Sequence, residues 1–227
     1  MTKDISVAQT KVPAFLKVDK PVGNENVSTQ DMQTPRLKLL QSMSPEIDSG
    51  SQYYVEGAKA GHIYNTVTGD LMDSVNCVNV YYDRDYAVYE DRSFGTGGFQ
   101  GTFPTEAAAR EQIKALDGKP GQYVVRDTAK HMLILLDDKG DPKIEALCLM
   151  DGTKLLCSDK WNTKLSMLKV NRFDSVWQLS TVRNENSKGH WFNYDIDFVG
   201  YVDEELHNYA ESLYQRVAPA MLRSDAA

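Results

Sequence analysis

The stretch "SVNCVNVYYDRDYAVYEDR", residues 74–92, decides the fold. Its first half alternates apolar and polar positions, with Val78, Val80 and Tyr82 on one face and Asn79 and Tyr81 on the other. That is the period of a half-buried β-strand. Its second half gathers Tyr86 and Tyr89 with Arg84 and Arg92 and runs into the glycine-rich "SFGTGGFQGTF". Such a strand either sinks its rings into a core or offers them as a surface on which nucleic-acid bases stack.

Working outward, "AGHIYNTVTGDL" upstream reads as a strand between glycine turns, and Pro35 opens a short element carrying Leu37, Leu39 and Leu40. Downstream, "QYVVRD" and "HMLILLDD" lead through the turn "DDKGDP" into "KIEALCLM", two apolar runs around an Asp/Gly/Pro turn and therefore a hairpin. "SVWQLSTV" and "HWFNYDIDFVGY" flank "RNENSKG" as a second, longer-looped hairpin. In it Trp191, Asn193, Asp195 and Asp197 share one face.

Three helices punctuate these strands. "PTEAAAREQIKAL" starts on Thr105 as a cap. "GTKLLCSDKWNTKLSML" places Cys157, Trp161, Leu165 and Leu168 on one stripe, with Lys160 and Lys164 on a neighbouring face. A last helix is capped by Asp203, carries Leu206, Tyr209, Ala210, Leu213 and Val217 on its apolar face, and ends at Pro219. This order lacks the regular strand–helix alternation of a parallel sheet. The expected class is α+β, mainly antiparallel, with a strongly bent or OB-like sheet and two or three flanking helices. Residues 1–34, polar and broken by Pro13 and Pro21, read as a flexible N-terminal arm; residues 35–227 read as a single domain ending in the C-terminal helix.

The 227 residues are 41% hydrophobic with a net charge of -7, which argues against coating duplex DNA through global positive charge. Charge is unevenly spread: residues 154–190 hold seven Lys/Arg against three Asp/Glu, a basic island in an acidic background. No apolar run is long enough for a membrane helix and the N-terminus lacks a signal-peptide stretch, so a cytosolic protein is expected. Cys77, Cys148 and Cys157 match neither a disulfide framework nor a metal knuckle. They are read as reduced thiols, and no cofactor is expected.

Enzymatic signatures are weak. The glycine-rich segment has neither the spacing of a dinucleotide fingerprint nor the Gly-Lys-Ser/Thr of a phosphate loop. His62, His131, His190 and His207 are scattered. The pairs Asp195/Asp197 and Asp83/Asp85 keep a metal-dependent nuclease open as an alternative, since two carboxylates on one face can hold Mg²⁺. Binding single strands asks instead for aromatic faces to stack bases and cations to follow the backbone. The candidate set for that role is Tyr81, Arg84, Tyr86, Tyr89, Arg92, Phe94, Phe99, Lys160, Trp161, Lys164, Arg172, Lys188 and Trp191. Tyr81 and Tyr89 are the expected exposed rings, whereas Trp161 sits on an apolar helical stripe that also suits a core position.

The blocks "PRLKLLQSMSPEI", "GAKAGHIYNTVTGDL", the tyrosine-rich strand leading to "GTGGFQG", "DKWNTKL" and "GHWFNYDIDFVGYVDEELHNYA" resemble, in this order over about residues 35–217, the single-stranded-DNA-binding accessory proteins of tailed bacteriophages. The resemblance implies sequence-tolerant binding of single-stranded DNA in viral replication, recombination or promoter opening, no catalysis, and action in the cytoplasm of the infected bacterial host. It also implies partners among phage polymerase or other replication proteins, and it leaves homo-oligomerisation open. A cofactor that recruits a phage RNA polymerase to melted DNA is the alternative from a different class. The chain ends "APAMLRSDAA" rather than in the acidic, aromatic-terminated tail common among phage single-strand binders, so any recruitment must use another surface.

Overall fold

A computed structural model describes residues 22–23, 25–28, 31–95, 98–187 and 189–224, with side chains as far as residue 219. The chain divides into two compact units, Met1–Gln33 and Thr34–Ala227. In the first, the Ser28 backbone N–H and hydroxyl both donate to one Asp31 carboxylate oxygen, at 2.9 and 2.6 Å. The expected arm otherwise falls largely outside the described residues.

The second unit is built on one nine-stranded sheet: β1 (Arg36–Leu39), β2 (Ile63–Asn65), β3 (Leu71–Met72), β4 (Ser74–Glu90), β5 (Phe99–Phe103), β6 (Tyr123–Leu136), β7 (Pro142–Asp151), β8 (Ser175–Asn186) and β9 (Gly189–Tyr201). Among the described residues three α-helices accompany it: α1 (Glu106–Ala115), α2 (Leu155–Leu168) and α3 (Glu204–Ser224). The strand order is β3-β2-β1-β7-β6-β4-β8-β9, with β5 added to β4. Every pairing is antiparallel except β1 with β7. The fold is the α+β, strongly curled and mainly antiparallel sheet that the sequence pattern leads to.

Two cores form on the two faces. One draws Leu37, Ile63, Cys77, Leu133, Cys148, Trp177 and Ile196, with others, from seven of the nine strands and seats Cys157, Trp161 and Leu165 of α2 among them. A single helix reaches that many strands only from the inner side of a curled sheet. The Tyr194 hydroxyl donates to the Leu37 carbonyl at 3.3 Å, joining β9 to β1 although four strands separate them in the sheet order. The Gln41 side chain completes this seam by donating to the Phe192 carbonyl (2.8 Å) and accepting from the Phe192 N–H (2.9 Å). The other face packs Val78, Val80, Ile134 and Leu136 against Leu206, Ala210 and Leu213 of α3.

The strand that decides the fold departs from simple alternation at one point. Asn79 pairs with Leu133 and Tyr81 with the next residue, Met132, so residue 80 is inserted as a β-bulge. An extra residue reverses the faces that follow it. Tyr81, expected opposite Val78 and Val80, joins them and packs toward α3. Tyr82, expected beside them, turns to the inner face, 5.1 Å from the His131 ring.

Local chemistry explains the helix ends. Thr105 accepts from the Ala108 N–H (3.2 Å), and Asp203 accepts from the Leu206 N–H (2.9 Å), as N-caps do. α2 follows directly on the 3-10 turn Gly152–Lys154 and stops where Lys169 adopts a left-handed conformation, φ 56°. Two boundaries differ from expectation. α3 does not end at Pro219 but continues through it, leaving the Gln215 carbonyl without its helical N–H donor. The glycine-rich segment, where the sequence pattern assigns no strand, forms β5 in its second half because Phe99 and Thr102 find partners in Tyr89 and Ala87 of β4. Thr96 and Gly97 lie outside the described residues.

Candidate nucleic-acid interface

The expected interface residues divide by what surrounds them. Trp161 has no exposed surface: it stacks on His131 at 5.1 Å and meets Trp177 edge-on at 6.2 Å. It belongs to the inner core and is withdrawn from the candidate set, because a ring enclosed by α2 and the sheet offers no face to a base. Arg84 grips Asp127 through Nε (3.0 Å) and Nη2 and lies 3.4 Å from Asp159. Lys160 donates to Asp195 at 2.6 Å. Burial alone would raise the Asp195 carboxyl, but the Lys160 ammonium and the Ile196 N–H outweigh it and hold the group below the ordinary carboxylate range. Lys164 donates to the Ile196 carbonyl at 3.3 Å and lies over the Trp177 ring. These cations tie α2 to β4 and β9 and bind β4 to β6. The expectation that Lys160 and Lys164 carry phosphate contacts moves to other residues for that reason.

Three of the four carboxylates in the expected pairs are engaged in the same way, Asp195 by Lys160 and the other two by Lys130, while Asp197 is exposed. Lys130 lies between Asp83 and Asp85 and pairs with both. Among the described residues no three His, Cys, Asp or Glu side chains gather closely enough to hold a metal ion.

One buried trio has relay geometry. The Asn79 amide donates to His131 Nδ1 (2.9 Å), which leaves His131 Nε2–H to donate to the Ser158 hydroxyl (2.9 Å). All three residues are fully buried. Burial, with the Arg172 charge second, pushes the imidazole down to about 3, so the ring is neutral at physiological pH. This trio holds β4, β6 and α2 together rather than facing a substrate. The three cysteines are buried as well. Desolvation pushes the Cys148 and Cys157 thiols up to about 12, which keeps them protonated and unreactive.

Exposed aromatic and basic groups collect at the far end of β4. Phe99 (59% exposed) lies 5.5 Å from the Tyr89 ring, and the exposed Arg126 guanidinium sits 5.3 Å over that same ring. Strand register produces the cluster, since Tyr89 faces Phe99 on β5 and lies two pairs along from the Ala87–Arg126 pair with β6, on the same face. Phe94 and Arg92 are exposed in the following turn. Tyr86 is half-buried on β4 opposite Phe103. Beside the cluster runs a groove of about 570 Å³ lined by Tyr89, Arg126, Thr128, Thr153 and Lys154, among others.

A second groove, of about 560 Å³, shares Thr153 and Lys154 with the first and is lined by Trp191, His190 and Met43. Trp191 is half-buried, and its indole N–H has no protein acceptor. Thr153 donates to Asn193 on β9 at 2.9 Å, fixing the Gly152–Lys154 turn between the grooves. Lys154 pairs with Asp151 at the start of this turn, so the charge open to a strand here comes from Arg126, and the rings on either side of the turn can hold a flexible strand by stacking.

Sequence reasoning missed Arg126 and the place of Lys154. Arg126 lay in plain view as the one cation in the strand "QYVVRD", but only the β4–β6 register sets it over a tyrosine. Lys188 lies outside the described residues.

A family model described as Pam3 phage gp34-like protein matches residues 5–221. The chain belongs to that family. No curated protein and no solved structure matches it. Membership in the Pam3 phage gp34-like family makes this a phage-associated protein, in line with the phage resemblance, and the family's description states no activity. Among the described residues no helix of the family member is long and apolar enough to cross a membrane.

Proposed function

We propose that the chain binds single-stranded DNA without strong sequence preference, in the replication, recombination or promoter opening of a phage genome. The observation that carries this reading is the exposed stack of Arg126, Tyr89 and Phe99 beside two grooves that meet at Lys154. Aromatic faces accept any base, and an exposed guanidinium stacked on a ring serves both the base and the phosphate. The acidic body works in the same direction, because it disfavours indiscriminate contact with duplex DNA and confines binding to the local basic and aromatic strip. The phage family membership supports the setting, with the infected host's cytoplasm as the place of action.

The test is fluorescence anisotropy of a labelled single-stranded oligonucleotide and its matched duplex, titrated at several salt concentrations in the presence of EDTA. The single strand is expected to bind more tightly. Phe99→Ala is expected to cost about 1–3 kcal/mol, roughly 5- to 150-fold in affinity, through lost stacking. Arg126→Ala is expected to lower the slope of log affinity against log salt by about 0.7, one phosphate's worth for a single strand. Equal binding of both oligonucleotides, or variants that bind like the parent, would overturn the reading.

A further inference from the structure

β8 leaves the edge of β4 after Val78, and β5 joins that edge only at Tyr86. The stretch between them has no strand neighbour on that side. The 3-10 turn Arg172–Asp174 and α3 stand there instead and leave a cavity of about 480 Å³ lined by Tyr81, Tyr82, Arg172, Tyr214 and Glu211, among others. The size is within the ~300–1,000 Å³ of ordinary small-molecule sites.

Arg172 makes this cavity unusual. Its Nη2 donates to the Asn162 side chain at 2.8 Å, and its guanidinium lies 5.3 Å over the Tyr82 ring. Its Nη1 is buried with no acceptor, and among the described residues no carboxylate pairs with it. Burial lowers its pKa from the ordinary guanidinium value, and an arginine in a protein keeps its charge. Arg172 is half-buried as a residue, and a cation with no paired carboxylate and one buried donor lacking an acceptor carries a cost. Arg84 instead pairs with Asp127, and Arg92 and Arg126 are exposed to solvent.

A group that suits this arginine is anionic and rich in acceptors, which describes a phosphate beside the planar fork of a guanidinium. The rest of the lining asks for more than phosphate. Tyr81 and Tyr214 lie 6.3 Å apart in a tilted pair, and Phe173 lies 5.6 Å from Tyr214, so the walls are aromatic. Glu211 is exposed on α3 and provides an acceptor for an exocyclic amine or a sugar hydroxyl, neither of which inorganic phosphate has. We propose that this pocket binds a nucleoside monophosphate unit, with its phosphate on Arg172 and its base against the Tyr81 and Tyr214 rings. The site is separate from the grooves at Lys154 and does not depend on their function.

The experiment is calorimetric titration of the full chain with deoxyadenosine 5′-monophosphate, deoxyadenosine and inorganic phosphate. The nucleotide is expected to saturate a single site, with the nucleoside and free phosphate at least tenfold weaker. Arg172→Gln and Tyr214→Ala are each expected to weaken the nucleotide tenfold or more. Tyr214 lies at the exposed mouth, so its variant keeps the test valid should Arg172→Gln fail to fold. Absence of saturable nucleotide binding, or nucleotide binding unchanged in the folded variants, overturns the proposal. A competition arm then identifies the source of the unit. Displacement of the nucleotide by a 5′-phosphorylated oligonucleotide alone assigns the pocket to strand ends. Displacement by phosphorylated and unphosphorylated strands alike assigns it to internal nucleotides, and displacement by neither to the free nucleotide; all three support the site. Phe99→Ala, which acts on the grooves, leaves nucleotide binding here unchanged, so failure of one site is distinguishable from failure of the other.

Discussion

Trp161→Ala is expected to destabilise the protein by about 3–5 kcal/mol, the range seen when a large aromatic side chain is removed from a core. The ring is fully buried on α2, stacked on His131 and set edge-on to Trp177, inside a core that seven strands share. Its removal takes away a ring that packs on β6 through His131 and on β8 through Trp177, and the hydrogen-bonded strands around it cannot easily close over the void. With a domain's total stability ordinarily about 5–15 kcal/mol, the variant is left marginal. Urea unfolding of parent and variant measures the loss directly. Trp161→Phe should cost less than the lost area suggests, because the indole N–H has no acceptor where it lies and its removal relieves an unsatisfied donor. A loss below about 1 kcal/mol for the alanine variant would be incompatible with a core position.

The second large effect is acid sensitivity through His131. Its folded-state value of about 3 lies below the ordinary unfolded value of about 6.5. Between those two values the unfolded chain binds a proton that the folded chain refuses, so stability falls as pH drops below about 6.5 and continues to fall toward 3. At pH 5 this residue alone withdraws about 2 kcal/mol relative to pH 7.5. The direction is opposite to that of a paired histidine, whose charge would be favoured by folding. Denaturant unfolding from pH 7.5 to 5 reads the loss, and the NMR titration of the His131 ring isolates it from other groups. A ring that protonates near pH 6.5 while the protein stays folded would dissolve the Asn79–His131–Ser158 network.

Much of the fold was legible because it follows from local pattern. The turn "DDKGDP", the Thr105 and Asp203 caps and the apolar stripe of α2 each act within a few residues, and the structure realises each of them. The bulge at residue 80 was not legible, since alternation continues across it in the sequence and only pairing with β6 reveals the inserted residue. One unpaired residue was enough to exchange the surroundings of Tyr81 and Tyr82. The candidate interface was legible in part for a related reason. Tyr89 and Phe99 were visible as rings near a flexible segment, but the cation above Tyr89 comes from 37 positions away along the chain. Conversely, Arg84 and Lys160 looked available because a sequence lists charges without their partners, and Asp127 and Asp195 stand 43 and 35 positions distant.

The Gln41 seam has a bearing on how copies of this chain meet one another. The main strand order, with β5 branching from β4, runs from β3 at one end to β9 at the other, and an unpaired strand edge is a template onto which another chain can add. At one end the edge strand β3 is only two residues long and presents little to copy. At the other, β9 is 13 residues long and rich in aromatic side chains, the kind of edge that invites runaway stacking. There the Gln41 amide occupies both backbone groups of Phe192, and Lys164 occupies the Ile196 carbonyl two alternate positions further along. Side chains thus stand where the backbone of a foreign strand would dock, and the clasp that closes the sheet also blunts its long edge strand.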